Sequence, residues 1–461
     1  MSAPPTLRVV LLGHADARGG AARATQRLHH AFQAHGLDSL HLVFRRLTND
    51  PETLQIGLDP DAARPDLQRT CRTVQQRLYR EARSALSDTY FSFPYPGFDL
   101  ARYPALQWAD IIHLNWPGPQ VSPLTVSEIA RLGVPLVWTL HDEATYTGGC
   151  HYTAGCRGFE RRCRRCPQLT GAARHLPALV LEDKRRLWQA CPIHVVAPSR
   201  WLARRAQASR LFRGHPVHHI PNPLPPTPFV ARPMAPCRES LGLPGDTPLV
   251  LCVALDLAER RKGFALLAEA MHRLPASEGI QPILVTVGRH AAPVELPRSL
   301  HLGPIDDDFQ LATIYAAMDV VAAPSLEDNL PSAALEALGC GVPVVGFRQG
   351  GLPELVDDRS RGLLAGETTP QALADALARV LATRRDLDGR QNLAAAVHAQ
   401  FSASVAAEAY ATLFRALAPR PRHRLPRRRQ ALPCPPFEHL GPATADIARV
   451  LIAGGLDPWA E

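Results

Sequence analysis

The stretch that most constrains this 461-residue chain lies between Val320 and Pro353. An apolar run, Val320–Ala323, leads into Asp328 and Asn329, then into a segment carrying Ala333, Leu335 and Leu338. After it come a second apolar run and Gly350-Gly351. The pattern reads as strand, acidic loop, short helix, strand and glycine-rich loop. Asp328 and Asn329 are expected to open the helix, because such side chains accept the first free amides. Glu336 follows Asp328 by eight residues, so both acids are expected at the carboxyl edge of a parallel sheet, where open α/β sheets bind ligands. Helix-start amides between two acids suit a ligand with hydroxyls at its ends and phosphates in its middle. A nucleotide sugar has that layout.

The length allows two or three domains, each with its own core. The start, MSAPPTLRVV, has no charged region before its apolar run, and no window reaches membrane-spanning length. A cytoplasmic enzyme is expected. The formal charge of +8 is unevenly spread, with basic runs at Arg161–Arg165 and Arg420–Arg429. Each reads either as a solvated face or as an attraction for anionic headgroups or a phosphorylated substrate, which implies peripheral contact with an anionic membrane. Nucleic acid is not expected as a partner, since no aromatic residues interleave the basic runs.

Leu7–Leu12 is an apolar strand, followed by Arg18-Gly19-Gly20 and a helix with Ala24, Leu28 and Ala31 on its inner side. Strand, glycine turn and helix form a Rossmann-like opening, although the spacing is not that of the dinucleotide fingerprint. Gly19 and Gly20 read either as a close approach to a ligand phosphate or as a plain tight turn. Thr48 to about Leu106 shows little periodicity and contains an aromatic, proline-rich segment, Thr89–Leu100. That segment reads as an irregular acceptor-side excursion or as a cover for the sheet. Asp110–Trp116 and Val134–Leu140 are strands dense in branched and aromatic residues, as buried parallel strands require. His141 lies just past the second, beside Asp142.

Ten cysteines do not suggest a disulfide scaffold, but Cys150, Cys156, Cys163 and Cys166 crowd one polar loop. The final CxxC resembles half of a tetrahedral zinc site, so structural zinc is one reading. Free thiols, a pair that links on oxidation, and an iron–sulfur cluster are the others. No water-activating ligand set is evident, so no catalytic metal is expected.

A proline-rich connector around His218–Phe229 marks a domain boundary. Pro248–Ala254 opens the second domain. Arg260, Arg261 and Lys262 then sit between a strand and a helix start, as a solvated rim or a diphosphate clamp. Asp306–Asp308 read as helix caps. A last helix is expected near Ser402–Phe414, then an irregular basic tail and a small helix near Ala443–Leu451. The expected domains are 1–222, carrying the cysteine-rich insertion 150–166, and 223–400. A closing helix at 401–415 and a tail at 416–461 complete the chain.

With these motifs in order, the chain resembles the retaining, nucleotide-sugar-dependent glycosyltransferases of family four, which have the GT-B fold. Within them it is most similar to bacterial exopolysaccharide and colanic-acid-type transferases. The resemblance runs from about Leu7 to Phe414. It is carried by ARGGAARAT, FPYPGFDL, VWTLHD with TGGCHY and the cysteines, RKGF, and DNLPSAALEALGCGVPVVGFRQGGLPELV. It implies two Rossmann-like domains facing across a cleft, with a C-terminal extension. It also implies a nucleotide-diphosphate sugar as donor, and a saccharide or lipid-linked saccharide as acceptor. By the same resemblance, the Gly20 amides approach the donor diphosphate, His141 helps place the sugar, and Lys262 neutralises the leaving diphosphate. Glu336 holds the ribose hydroxyls, while Asp328, with the amides around Asn329 and Leu330, faces the hexose and phosphates. Where the family has an arginine six residues before the lysine this chain has Asp256, so Arg260 or Arg261 is expected to supply that charge. The rival readings are a sugar-nucleotide epimerase, a phosphorylase-like enzyme, and a non-catalytic binding subunit on the same fold.

Overall fold

The computed structural model describes residues 6–58, 65–276, 280–289, 298–383, 385–418, 433–438, 440–442 and 444–453. The basic run Arg420–Arg429 lies outside them. The chain divides into two compact units. The first comprises Met1–Pro198, Leu202–Ile220 and Ala407–Glu461; the second comprises Ser199–Trp201 and Pro221–Ala406. The chain thus passes between units near the expected proline-rich connector, and passes back within the last long helix, Ala403–Leu417.

The first unit is built on seven parallel strands. From one edge they are Thr53–Gln55, Asp38–Arg45, Arg8–Ala15, Ile111–Asn115, Leu136–Thr139, Ile193–Ala197 and Val217–His219. The central strands are almost wholly buried, which is why their sequences run apolar rather than alternating. Strand order reverses on either side of Arg8–Ala15, opening a crevice at its carboxyl end beside those of Ile111–Asn115 and Leu136–Thr139. Helix Gly20–Ala34 covers the sheet with Ala24, Leu28 and Phe32. Phe32 and His113 pack against Tyr410 and Phe414 of the last long helix, with ring centroids 5.1–5.7 Å apart. Tyr410 is also hydrogen-bonded to Thr139, 2.7 Å between hydroxyl oxygens.

The described part of Thr48–Leu106 is more ordered than its sequence suggests. It contains the helix Pro65–Arg80, whose buried Leu67, Cys71, Val74 and Leu78 make a thin apolar stripe among arginines and glutamines. Phe91, Phe93 and Tyr95 pack into the same core cluster as that stripe, along with Cys150, Cys166 and Leu440.

The second unit has six parallel strands in the order Ser299–His301, Ile283–Arg289, Leu249–Asp256, Val320–Ala323, Val344–Phe347 and Gly362–Ala365. Helices cover both faces. Phe264–Arg273 and Pro370–Leu381 pack in one cluster with Val250, Val320 and Val345. Asp308–Ala316, Ser332–Gly339 and Leu387–Phe401 pack in the other with Leu251, Val321 and Val344. Neighbouring strand residues therefore serve opposite faces, as strand geometry requires. Asp307 caps its helix by accepting the Gln310 amide at 2.7 Å, in line with the cap reading of the acidic triplet. Leu387–Phe401 was not expected from the sequence. Among the described residues no helix is long and apolar enough to cross a membrane.

Candidate functional site

In the second unit the strand order reverses at Leu249–Asp256, which lies between Ile283–Arg289 and Val320–Ala323. The loops at this carboxyl edge carry the predicted residues. Arg260, Arg261 and Lys262 form a single tight turn that ends on Gly263 at φ 68°. A β-carbon at Gly263 would lie 2.0 Å from the Pro324 carbonyl oxygen, so only glycine lets this turn lie against the acidic loop. Lys262 Nζ donates to Asp328 Oδ2 at 2.6 Å, and Arg261 approaches the same oxygen at 3.6 Å. Arg261 also pairs with Glu259 and donates to the Glu327 carbonyl at 3.1 Å. Burial pushes the Asp328 carboxyl up, but Lys262 and Arg261 more than offset this and hold it below its ordinary value. Arg260 is exposed. Arg261 and Lys262 thus converge on Asp328, while Arg260 lies on the exposed side of the turn.

Asp328 and Asn329 do not open the helix. It runs Ser332–Gly339 with Pro331 at the cap position and no side-chain cap hydrogen bond. Proline disfavours helical backbone at the residue before it, here Leu330, which moves the start past Pro331. The Asp328 side chain is left to the lysine, and its Oδ1 accepts the Asn329 amide at 3.0 Å. Asn329 is held by Ser199, hydroxyl to Oδ1 at 2.8 Å. The glycine-rich loop lies against the same segment. Gly351 N donates to the Asp328 carbonyl at 3.1 Å, and a β-carbon on Gly350, at φ 60°, would come within 1.9 Å of that oxygen. Glu336, 3 % exposed, accepts from the Tyr315 hydroxyl at 3.1 Å. Ser199 and Tyr315 were not singled out from the sequence, and nothing local to them carries a signal.

In the first unit, Arg18 and Gly19 both have positive φ, 66° and 94°, and helix Gly20–Ala34 begins without a side-chain cap. The turn therefore presents helix-start backbone at the carboxyl edge of Arg8–Ala15. Buried Asp16 accepts the Leu47 and Thr48 amides at 2.7 and 3.0 Å, fixing the neighbouring loop. His141 Nε2 lies 3.1 Å from Asn115 Oδ1. Asn115 donates its amide to the His113 carbonyl, so its oxygen faces the imidazole and Nε2 carries the proton. Burial pulls the His141 pKa down to about 4, partly opposed by Asp142, so the ring is neutral near pH 7.

Asp142 does not orient His141. Its Oδ2 accepts from Trp116 Nε1 and His151 Nδ1, both at 2.6 Å, and its Oδ1 accepts the Ala144 amide at 2.9 Å. Buried Lys184 donates to the Ala144, Thr145 and Thr147 carbonyls and pins the loop that follows. None of the ten cysteines is joined in a disulfide. Without a metal, burial pushes the Cys150 and Cys166 thiols up and Cys163 up to about 12. Among the described residues, no group of three or more His, Cys, Asp or Glu is placed to hold a metal ion.

Residues 247–383 match the family model for glycosyl transferases group 1. A D-inositol 3-phosphate glycosyltransferase of Xylanimonas cellulosilytica is 30% identical over 299 residues, covering 62% of this chain and 65% of that protein. The chain therefore spans a little less than two thirds of that relative. The sucrose-phosphate synthase of Thermosynechococcus elongatus superposes with a TM-score of 0.60 at 21% identity, over 89% of this chain and 99% of that one. An Anabaena protein solved with UDP and glucose gives 0.58 at 17% identity, over 89% and 100%. These structural likenesses establish the fold, a GT-B-like pair of Rossmann-like units.

Proposed function

We propose that this GT-B-fold relative of the group 1 glycosyltransferases moves a hexose from a nucleoside-diphosphate sugar to an acceptor hydroxyl, with retention of configuration. The acceptor would be a saccharide or lipid-linked saccharide of surface-polysaccharide assembly, met in the cytoplasm or at its membrane face. The observation that carries the reading is the convergence of Lys262 and Arg261 on Asp328 at the switch point of the second sheet. A pair of cations there meets the charge of a departing diphosphate, and the relative solved with UDP supports that choice of ligand.

Each residue then has a role. Lys262 and Arg261 neutralise the diphosphate, and Arg261 supplies the charge missing at Asp256. Glu336 holds the ribose hydroxyls. Asp328, with the amides of Asn329 and Leu330, faces the hexose. The Gly19–Gly20 turn offers amides to phosphate, and neutral His141, its Nε2–H held by Asn115, leaves Nδ1 as an acceptor for a sugar hydroxyl without adding a charge. As the bond to the diphosphate breaks, positive charge develops at the anomeric carbon. The acceptor hydroxyl attacks from the same face, and a phosphate oxygen takes its proton. No protein nucleophile enters.

The test is to incubate the purified enzyme with a panel of nucleotide sugars and analyse the products by mass. Release of a nucleoside diphosphate, abolished by Lys262→Ala and by Glu336→Ala, supports transfer. An isomerised sugar nucleotide would mean an epimerase, and wild-type behaviour of both variants would overturn the site.

A further inference from the structure

The first unit carries a hydrogen-bonded series that the donor chemistry does not use. Ser92 Oγ lies 2.6 Å from His151 Nε2, and His151 Nδ1 lies 2.6 Å from Asp142 Oδ2. Asp142 is a carboxylate, held below its ordinary value by His151, the Ala144 amide and Trp116 against the opposing effect of burial. His151 Nδ1 is then the donor to Asp142, and the Ser92 hydroxyl meets Nε2 on the far side of the ring. Ser92 Oγ makes no other hydrogen bond among the described residues, so the hydroxyl keeps hydrogen-bonding capacity for an incoming O–H group.

These groups line one open pocket together with Trp116, Trp138 and Trp188. Trp116 is held at φ 41°, a strained backbone for a bulky residue. Its indole N–H is fixed on Asp142, and its ring meets His151 edge-on at 5.8 Å. The pocket therefore offers an immobilised aromatic wall beside a hydroxyl held in place by His151.

We infer that this pocket is a saccharide subsite, in which Ser92, backed by His151 and Asp142, hydrogen-bonds a hydroxyl of a hexopyranose whose ring lies against Trp116. A pyranose has apolar C–H faces and a rim of O–H donors, which matches the mixture of apolar walls and few fixed polar groups. The series has the connectivity of a nucleophilic triad, but the Ser92 amide is engaged with the Gly149 carbonyl at 2.8 Å. It is thus not free to stabilise an oxyanion, and recognition suits the geometry better than acyl transfer. The occupant's class rests on the glycosyltransfer reading, as the sugar-bearing acceptor; the binding test does not.

The full chain would be titrated with the methyl glycosides of glucose, galactose and mannose while its tryptophan fluorescence is followed. At least one glycoside should give a saturable change. Ser92→Ala should weaken it about tenfold, the worth of one hydrogen bond at a buried partner. Ser92→Thr, which keeps the hydroxyl, should retain it, and Trp116→Phe should shrink the signal. No saturable change with any glycoside, or equal affinity in Ser92→Ala, overturns the subsite. So does stoichiometric labelling of Ser92 by a fluorophosphonate, which would make it a nucleophile. Glycoside binding in a protein that cleaves no nucleotide sugar would instead overturn the proposed function and leave the subsite standing.

Discussion

In the structure Lys262 is already engaged by Asp328, so a diphosphate bound as proposed competes with a carboxylate for the same ammonium. Removing either partner should therefore move nucleotide affinity in opposite directions. Lys262→Ala deletes a charged donor worth about 1.5–3 kcal/mol, so the dissociation constant for the matching nucleoside diphosphate should rise roughly 10- to 150-fold. Asp328→Asn removes the competitor and should tighten binding of the bare diphosphate, while transfer falls because the hexose loses a partner. Stability should move less. The side chains are 22% and 12% exposed, between the surface and buried regimes, and Arg261 remains 3.6 Å from the carboxylate. A loss of about 1–2 kcal/mol for Lys262→Ala follows. Asp328 has a depressed pKa in the fold, so its contribution is present above the unfolded value and is lost as pH falls through the lower, folded one. That acid-side slope should flatten in Lys262→Ala. Calorimetric titration with UDP, GDP and ADP, with urea unfolding at several pH values, measures each quantity. If both variants weaken the diphosphate alike, the competition does not exist and the clamp is misassigned.

His141 should resist protonation: its C2 proton should titrate near pH 4, not 6.5, by NMR. Because the unfolded chain binds that proton first, stability should rise with pH between about 4 and 6.5, by about 3 kcal/mol from this group, and His141→Gln should remove that share. Gly350→Ala forces a β-carbon onto the Asp328 carbonyl, whereas Gly242, at φ 64°, has nothing within 4 Å. Gly242→Ala should cost about 1 kcal/mol and Gly350→Ala clearly more, with loss of diphosphate binding; equal melting temperatures would refute the close-approach argument. If the cysteine loop takes zinc, metal analysis should find one equivalent, lost together with thermal stability in Cys163→Ser. Metal-free protein of unchanged stability rules that out.

The two sheets were legible because buried parallel strands leave long apolar runs, as at Val9–Leu12 and Val320–Ala323. Helix Pro65–Arg80 was missed although Leu67, Cys71, Val74 and Leu78 recur at helical spacing, because that one-residue-wide stripe is nearly the only apolar content of a strongly polar segment. Within the site, Asp328 and Glu336 stood out through their spacing, and Lys262 through its place before a helix. The Lys262–Asp328 pair could not be read, because its partners are 66 residues apart and only the sheet order joins them. The residue before a proline carried a usable signal, and it would have placed the helix start past Leu330. His151 stood in view within TGGCHY. Its claim on Asp142, which leaves His141 to Asn115, depends on how the loop folds back and on nothing in the spacing.

The return of the last helix to the first unit sets an order of events during synthesis. Residues 221–406 form a continuous segment and can close their core as soon as they have emerged. The first sheet emerges earlier yet lacks Tyr410 and Phe414, the rings that seal Phe32 and His113. At about 5–20 residues per second the ribosome needs roughly 10–40 s to supply them. For that interval the half made first is the half left open, and the half made second is finished before it.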